Sequence, residues 1–243
     1  MEIITQEGGE ILSRWGHVLA GITWIGLLYY FNFVQVPSFA AFEAAPRTEV
    51  IQKLVPRALW WFRWGAMLTL ATGLSILAFQ EGYSVDYLFR SPAGISISTG
   101  VLLAVTMFLN VWLIIWPKQK VVIASAVSTA GGGEPDPRAA GYGRQALLAS
   151  RTNTFFSIPM LFFMVSTSHF ANQSFGEAGG SNNRLTYWVI VVVSWAVLQL
   201  NGMGVFGTEP GGPRAYLDQH RNTIVAGFVY AAVLYLLWEI LLT

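Results

Sequence analysis

Apolar runs, each long enough to cross a lipid bilayer as a helix, constrain this chain more than any other feature. A bilayer-spanning helix requires about 20 consecutive apolar residues. Only 11% of the 243 residues are charged and 54% are hydrophobic, whereas about a quarter of a soluble domain is charged. We therefore expect an all-α polytopic membrane bundle of about six helices, forming a single domain over residues 1–243. The predicted spans lie near 11–34, 58–80, 95–117, 152–171, 185–206 and 222–242.

The distribution of lysine and arginine predicts how these spans are oriented. Arg14, Arg90 and Arg184 lie on one side of the predicted spans, and the other eleven Lys and Arg residues lie on the opposite side. The side richer in positive charge faces the cytoplasm in most membrane proteins. We expect both termini to lie outside the cytoplasm.

The composition excludes several functional classes. The chain has no cysteine, which excludes disulfides, Cys-ligated zinc, iron–sulfur clusters and a covalently attached c-type haem. The net charge is +1 and no basic run is present, so nucleic acid is not an expected partner. No Ser-His-Asp set, His-Glu-x-x-His motif or close carboxylate pair appears, which argues against hydrolysis.

Two histidines lie within or at the edge of predicted spans, and they are the main candidates for a functional site. His17 lies about six residues, or roughly 9 Å, below the outer end of the first span, and His169 lies close to the same face at the end of the fourth. An ionisable side chain at membrane depth is a functional candidate by default, and two imidazoles across a helix bundle can hold a haem b iron. Alternatively, each ring simply hydrogen-bonds a carbonyl or hydroxyl group. Met160 and Met164 are further possible ligands, although they also suit core packing.

Other polar and small residues have simpler interpretations. Asn110, inside the third span, is expected to hydrogen-bond a neighbouring helix. Gly65, Thr69 and Gly73 recur every four residues and predict a face on which a second helix packs closely. Glu239 is interpreted as a boundary residue or as a partner of Arg14.

Proline and glycine residues predict where helices end or bend. Pro37 is expected to end the first span, and residues 38–57 are interpreted as an interfacial segment or a solvated loop. The third span is expected to end at Pro117, and a mobile loop is expected from there to about Ser150. Pro159 is expected to kink the fourth span. His220, in the last loop of the richer side, is expected to be exposed.

Three runs of this sequence resemble a known family when they are taken together and in order. They are GHVLAGITWIG at 16–26 continuing to YFNFVQ at 30–35, NVWLIIWPKQK at 110–120, and SRTNTFFSIPMLFFMVSTSHF at 150–170. They resemble the membrane domain of the bacterial urate oxidase family, also called urate hydroxylase, whose longer members end in a cytochrome c domain. The likeness is weak in the last two spans.

The resemblance implies a function and a set of site residues. It implies oxidation of urate toward 5-hydroxyisourate in the bacterial inner membrane, with electrons leaving through a c-type cytochrome. The histidines of the family fall on His17 and His169, and Arg151 and Asn153 match the polar start of the fourth span. Arg151 and Asn153 suit an acidic purine, or they cap the fourth span. This chain has about six spans instead of about eight and lacks a haem-attachment motif, so its electron acceptor is expected to be a separate polypeptide.

A second class of function stays open from the sequence. The chain also suits a non-catalytic accessory subunit that packs against a larger respiratory or photosynthetic membrane complex, with lipid and protein contacts and possible oligomers. A small-molecule permease ranks lower, because no internal repeat with interrupted helices is evident.

Overall fold

The structure is a computed structural model that describes residues 5–79, 84–169 and 180–243, and these residues form helices with no strand among them. Two π-helical segments are present among them. The first, Tyr30–Gln35, directly follows the α-helix Gln6–Tyr29, and the second, Asn110–Ile115, directly follows the α-helix Pro92–Leu109. A short 3₁₀ turn covers Gly212–Arg214. The α-helices are α1 (Gln6–Tyr29), α2 (Val36–Ala41), α3 (Ala44–Lys53), α4 (Val55–Phe79), α5 (Val85–Arg90), α6 (Pro92–Leu109), α7 (Trp116–Ala130), α8 (Ala139–His169), α9 (Ser181–Gly202), α10 (Ala215–Asp218) and α11 (His220–Leu242).

Five helical stretches of the described chain are long and apolar enough to cross a membrane, which is consistent with a multi-pass membrane protein. They are α1 through α2, α4, α6 through α7, α9 and α11. Residues 152–169 of the fourth predicted span lie within α8, which has 31 residues but is not among the five; residues 170–171 lie outside the described residues. Polar residues on α8 lower its hydropathy, and many of them, such as Arg151 and Asn153, are buried in the bundle.

The five stretches and α8 alternate in direction along the chain. Gly9 lies against Phe79 while Gly65 lies against Trp24, so α1 and α4 are antiparallel. Ser96 reaches the Phe163 carbonyl while Asn110 reaches Asn153, so α6 and α8 are also antiparallel. Contacts of α9 with α6, and of α11 with α8, are parallel. Tyr29 bonds Ser157 while the later Asn32 bonds Ser150, so the stretch that begins with α1 is antiparallel to α8. Consequently α1, α6 and α9 run one way, and α4, α8 and α11 run the other.

Helix α8 is the central element of the bundle. It contacts α1, α6, α7, α9, α10, α11 and both π-helical segments. It begins at Ala139, and α7 continues to Ala130. The expected loop from Pro117 to about Ser150 is therefore wrong, and only residues 131–138 separate the two helices. Pro159 lies inside α8, which is assigned as one continuous helix.

Pro37 and Pro117 do not end their helices, contrary to expectation. Each is the second residue of an α-helix that directly follows a π-helical segment. A proline inside a helix lacks the N–H donor and clashes with the carbonyl four residues earlier. A π turn inserts an extra residue into the helix, which accommodates the proline, so the helices run on to Ala41 and Ala130.

The small face of α4 packs against α1, as predicted. A side chain at Gly65 would lie 3.2 Å from the backbone nitrogen of Trp24. At Gly73 it would lie 3.0 Å from His17 Cε1. Close packing of α1 on α4 therefore depends on these glycines, and it carries His17 into contact with α4.

Candidate functional site

His17 is held in one tautomer by the backbone of α4. Its Nδ1 lies 2.9 Å from the Thr69 carbonyl oxygen, which only accepts hydrogen bonds, so Nδ1 must carry the proton. The Thr72 hydroxyl lies 3.2 Å from the same nitrogen and donates its own proton to the Leu68 carbonyl. In the described part of the chain, Nδ1 is the nitrogen of this ring that has hydrogen-bond partners. The Nε2 atom therefore offers a lone pair.

The sequence of α4 explains why this carbonyl can accept the proton. A helical side chain covers the turn that precedes its own Cα, so residue 73 controls access to the carbonyl of residue 69. Because residue 73 is glycine, the ring of His17 can approach Thr69. The four-residue repeat of Gly65, Thr69 and Gly73, predicted as a packing face, therefore also positions the histidine.

His17 lines a cavity of about 710 Å³ between α1, α4, α6 and α8. Nearly all of the lining is apolar, and the exceptions include Arg14, which lies one turn before His17 and forms a salt bridge with Glu10 at 2.7 Å. The pairing of Arg14 with Glu239, one of the two interpretations of Glu239, stays a prediction. Gly21 also lines the cavity, and a side chain built there would meet no atom within 4 Å. The cavity therefore has room for a flat apolar group beside the histidine.

The proposed partner, His169, lies near this cavity. It is the last residue of α8, its side chain is exposed, and its Nδ1 lies 3.0 Å from the Val165 carbonyl oxygen. Val165 and the two candidate methionines, Met160 and Met164, line the cavity with His17, whereas His169 is not among the described lining residues. No group of three or more His, Cys, Asp or Glu residues that could hold a metal ion occurs within 5–79, 84–169 and 180–243. The pairing of His17 with His169 stays a prediction.

Arg151 and Asn153 lie at the opposite end of the bundle from His17. Ser150 accepts a 2.8 Å hydrogen bond from Asn32, which is fifteen residues after His17 on the same helical stretch. At 1.5 Å per residue, this separation is about 22 Å. A substrate that touches Arg151 therefore does not touch a group bound to His17. The alternative that Arg151 and Asn153 cap the helix is wrong, because α8 begins about three turns earlier, at Ala139.

Asn153 belongs to a buried network of amides. Asn110 donates to Asn153 at 2.8 Å and to Gln199 at 3.1 Å, and Gln199 donates back to Asn110 at 2.6 Å. Asn153 donates in turn to the Met107 carbonyl. The prediction that Asn110 bonds a neighbouring helix is confirmed. This network joins α6, α8 and α9 at the start of the second π-helical segment, where it serves packing.

Arg151 has few polar partners for a buried charge. Its side chain is 3% exposed, and its only hydrogen bond to the described residues is a 3.3 Å contact with the Leu217 carbonyl. The nearby Asp218 forms a salt bridge with Arg144 at 2.7 Å. Burial raises the pKa of Asp218, but the bonds from Arg144 and the Gly211 N–H outweigh it, and the pKa falls below its ordinary value.

His220 also lies at this end of the bundle, and it is half-buried rather than fully exposed as expected. Its ring centroid is 6.0 Å from that of Phe33 in the first π-helical segment. No sequence pattern indicated Gln199 or the Arg144–Asp218 pair. Both depend on helices that meet only in the folded bundle.

Comparison with known proteins gives one finding. Residues 81–201 match the family model described as urate oxidase N-terminal. This match supports a relationship to the urate oxidase-like family. It includes His169, Arg151 and Asn153, and two of the three runs on which the resemblance rests, whereas His17 lies outside it. No curated protein and no solved structure shows significant similarity to the chain.

Proposed function

We propose that the chain is an integral membrane oxidoreductase of the urate oxidase type that holds a haem b in the cavity beside His17. By the positive-inside rule this cavity lies toward the periplasmic face of a bacterial inner membrane. Electrons pass from a small substrate, urate by resemblance, to a separate c-type cytochrome. The match over residues 81–201 supports the urate oxidase-like relationship.

The hydrogen bond from His17 Nδ1 to the Thr69 carbonyl is the observation that carries this proposal. Histidines that bind a metal almost always donate their second ring proton to a carbonyl, a carboxylate or water, which fixes the tautomer and orients the ring. His17 has this arrangement, and its Nε2 is the atom that would bind iron. Gly73 and Thr69 are positioning residues for the ligand.

The cavity supplies the remaining requirements for the group. Its apolar walls suit a macrocycle and exclude water, and Gly21 leaves space on the side of α1 that faces the cavity. His169 is the proposed second ligand, with its Nδ1 proton on the Val165 carbonyl. Met160 and Met164, which line the same cavity, are the alternative ligands. A bound haem would supply one-electron transfer between substrate and cytochrome.

The substrate must reach the His17 end of the bundle for direct electron transfer. Arg151 lies about 22 Å from His17, measured along the helical stretch Gln6–Ala41. We therefore do not assign it a contact with a substrate that reacts at His17. Arg14, which lines the cavity, is the positive charge closest in sequence to the proposed ligand.

An electron-transfer assay tests this function. Detergent-purified protein is mixed with urate and oxidised soluble cytochrome c, and reduction of the cytochrome is followed by absorbance. We expect urate-dependent reduction that is lost in His17→Ala and His169→Ala and kept in His220→Ala, which serves as the control. No reduction with the unaltered protein would overturn the oxidoreductase assignment, and co-purification with a larger complex would then favour an accessory subunit. Retained activity in His169→Ala with loss in Met164→Leu would move the second ligand to methionine.

A further inference from the structure

Arg151 is the least compensated buried charge at its end of the bundle. It is 3% exposed, its Nε has no hydrogen-bond partner, and its one hydrogen bond to the described residues is the 3.3 Å contact with Leu217. A buried charge without a partner is strongly destabilising. An arginine in this position therefore calls for an anion.

The carboxylate near Arg151 is already committed to other groups. Asp218 accepts a hydrogen bond from Arg144 at 2.7 Å through one oxygen and from the Gly211 N–H at 2.7 Å through the other. Arg214 is 6% exposed and donates to the backbone carbonyls of Phe206 and Glu209. Asp218 lies within electrostatic range of all three arginines. One aspartate thus faces three arginines, and the cluster carries a net charge of about +2.

We propose that Arg151 binds a phosphate-type oxyanion, taken from an anionic lipid headgroup or from solution, within the cluster formed by Arg144, Arg151, Arg214 and Asp218. The planar guanidinium matches the geometry of a phosphate with two parallel hydrogen bonds. Basic pockets between helices on the cytoplasmic side of membrane proteins bind phosphate-bearing lipids in this way. The positive-inside rule predicts that the cluster lies on that side.

This site is separate from the proposed haem cavity. The two lie about 22 Å apart along the first helical stretch, and they share none of the lining residues. The anion therefore stabilises the junction of α8, α10 and the start of α11, and takes no part in the redox reaction. Anion binding at this cluster therefore depends neither on haem nor on urate.

The test measures the melting temperature of the full-length protein in three media of equal ionic strength. The first is phosphatidylcholine nanodiscs in chloride buffer, the second adds sodium phosphate, and the third replaces part of the lipid with phosphatidylglycerol. The variants are the unaltered protein, Arg151→Gln, Arg151→Lys and the control Arg57→Gln, which changes an exposed arginine on α4. At about 100 times the dissociation constant, a bound anion raises the melting temperature by roughly 5 to 10 °C.

We expect this rise in the unaltered protein and in Arg57→Gln, a smaller rise in Arg151→Lys, and none in Arg151→Gln. A rise with sodium phosphate identifies a soluble oxyanion, and a rise with phosphatidylglycerol alone identifies a lipid headgroup. If neither addition stabilises the unaltered protein, or if Arg151→Gln or Arg151→Lys responds as strongly as the unaltered protein, the site does not exist. Should Arg151→Gln not fold, the comparison of Arg151→Lys with Arg57→Gln decides the matter.

Discussion

Replacing Gly73 by alanine tests how His17 is held, because the new methyl group would press on its ring. The Cβ atom would lie 3.0 Å from Cε1 and 3.4 Å from Nδ1 of His17. Restoring an ordinary contact of about 3.4 Å moves the ring by about 0.4 Å. The bond from Nδ1 to the Thr69 carbonyl, now 2.9 Å, would lengthen to roughly 3.3 Å, beyond the usual range.

Two effects of opposite sign determine the stability of this variant. Alanine is favoured over glycine inside a helix by about 1 kcal/mol. A weakened hydrogen bond removes about 0.5 to 1.5 kcal/mol. We expect the two to cancel, so that the free energy of unfolding of Gly73→Ala stays near that of the unaltered protein.

Gly26→Ala on α1 is the matched control, because its side chain would meet no atom within 4 Å. Its alanine should gain the helix propensity alone. The free energy of unfolding of Gly26→Ala should therefore be about 1 kcal/mol higher than that of Gly73→Ala, a difference of about 2 to 4 °C in melting temperature. Thermal unfolding in one detergent, followed by circular dichroism, measures both. Equal stabilisation of the two variants would refute the close contact between His17 and the Thr69 turn.

Three further predictions concern the rest of the bundle. Asn110→Leu should lower the free energy of unfolding by about 1 to 3 kcal/mol, since it leaves the buried Oδ1 of Asn153 and the half-buried amide of Gln199 without their partner; chemical denaturation measures this loss. Gly202→Ala should cost about 1 to 3 kcal/mol, because its methyl group would overlap the Thr152 hydroxyl, and a lower melting temperature reports it. The lowered pKa of Asp218 contributes stability above about pH 4 that is lost as the pH falls through its folded pKa, which melting at a series of pH values detects.

Each of these three has its own control. A double change of Asn110→Leu and Gln199→Leu should recover part of the lost stability, and no recovery would argue against the paired amides. A side chain at Gly141 would lie in open space, so Gly141→Ala should not lower the melting temperature. A Gly202→Ala variant as stable as Gly141→Ala would contradict the predicted overlap. Asp218→Asn should remove its share of the acid dependence. An unchanged pH profile would show that this carboxylate does not contribute.

Hydropathy located the membrane helices but misjudged where several of them begin and end. Pro37 and Pro117 look like helix ends because a proline breaks the local hydrogen-bond pattern. In the structure a π turn precedes each proline, and both π-helical segments contact α8. Whether a chain bends or continues there depends on packing against another helix, which local sequence does not encode.

The sequence predicts part of the candidate site, and the remainder depends on which helices pack together. His17 was identified because an ionisable residue at membrane depth is unusual, and the structure adds the Thr69 contact that fixes its tautomer. The family resemblance pairs Arg151 with Asn153, because both match the polar start of the fourth span. On a helix, residues two positions apart face different neighbours, so Asn153 joins an amide network and Arg151 joins a charged cluster.

The reduced-minus-oxidised visible spectrum of the purified protein tests the proposed haem site most directly. We expect a Soret and an alpha band in the unaltered protein and in His220→Ala, with a haem content near one per chain by pyridine extraction. In His17→Ala these bands should be lost while the helical content stays the same. A spectrum without haem bands in the unaltered protein, or a full haem content in folded His17→Ala, would contradict the assignment of His17 as a ligand.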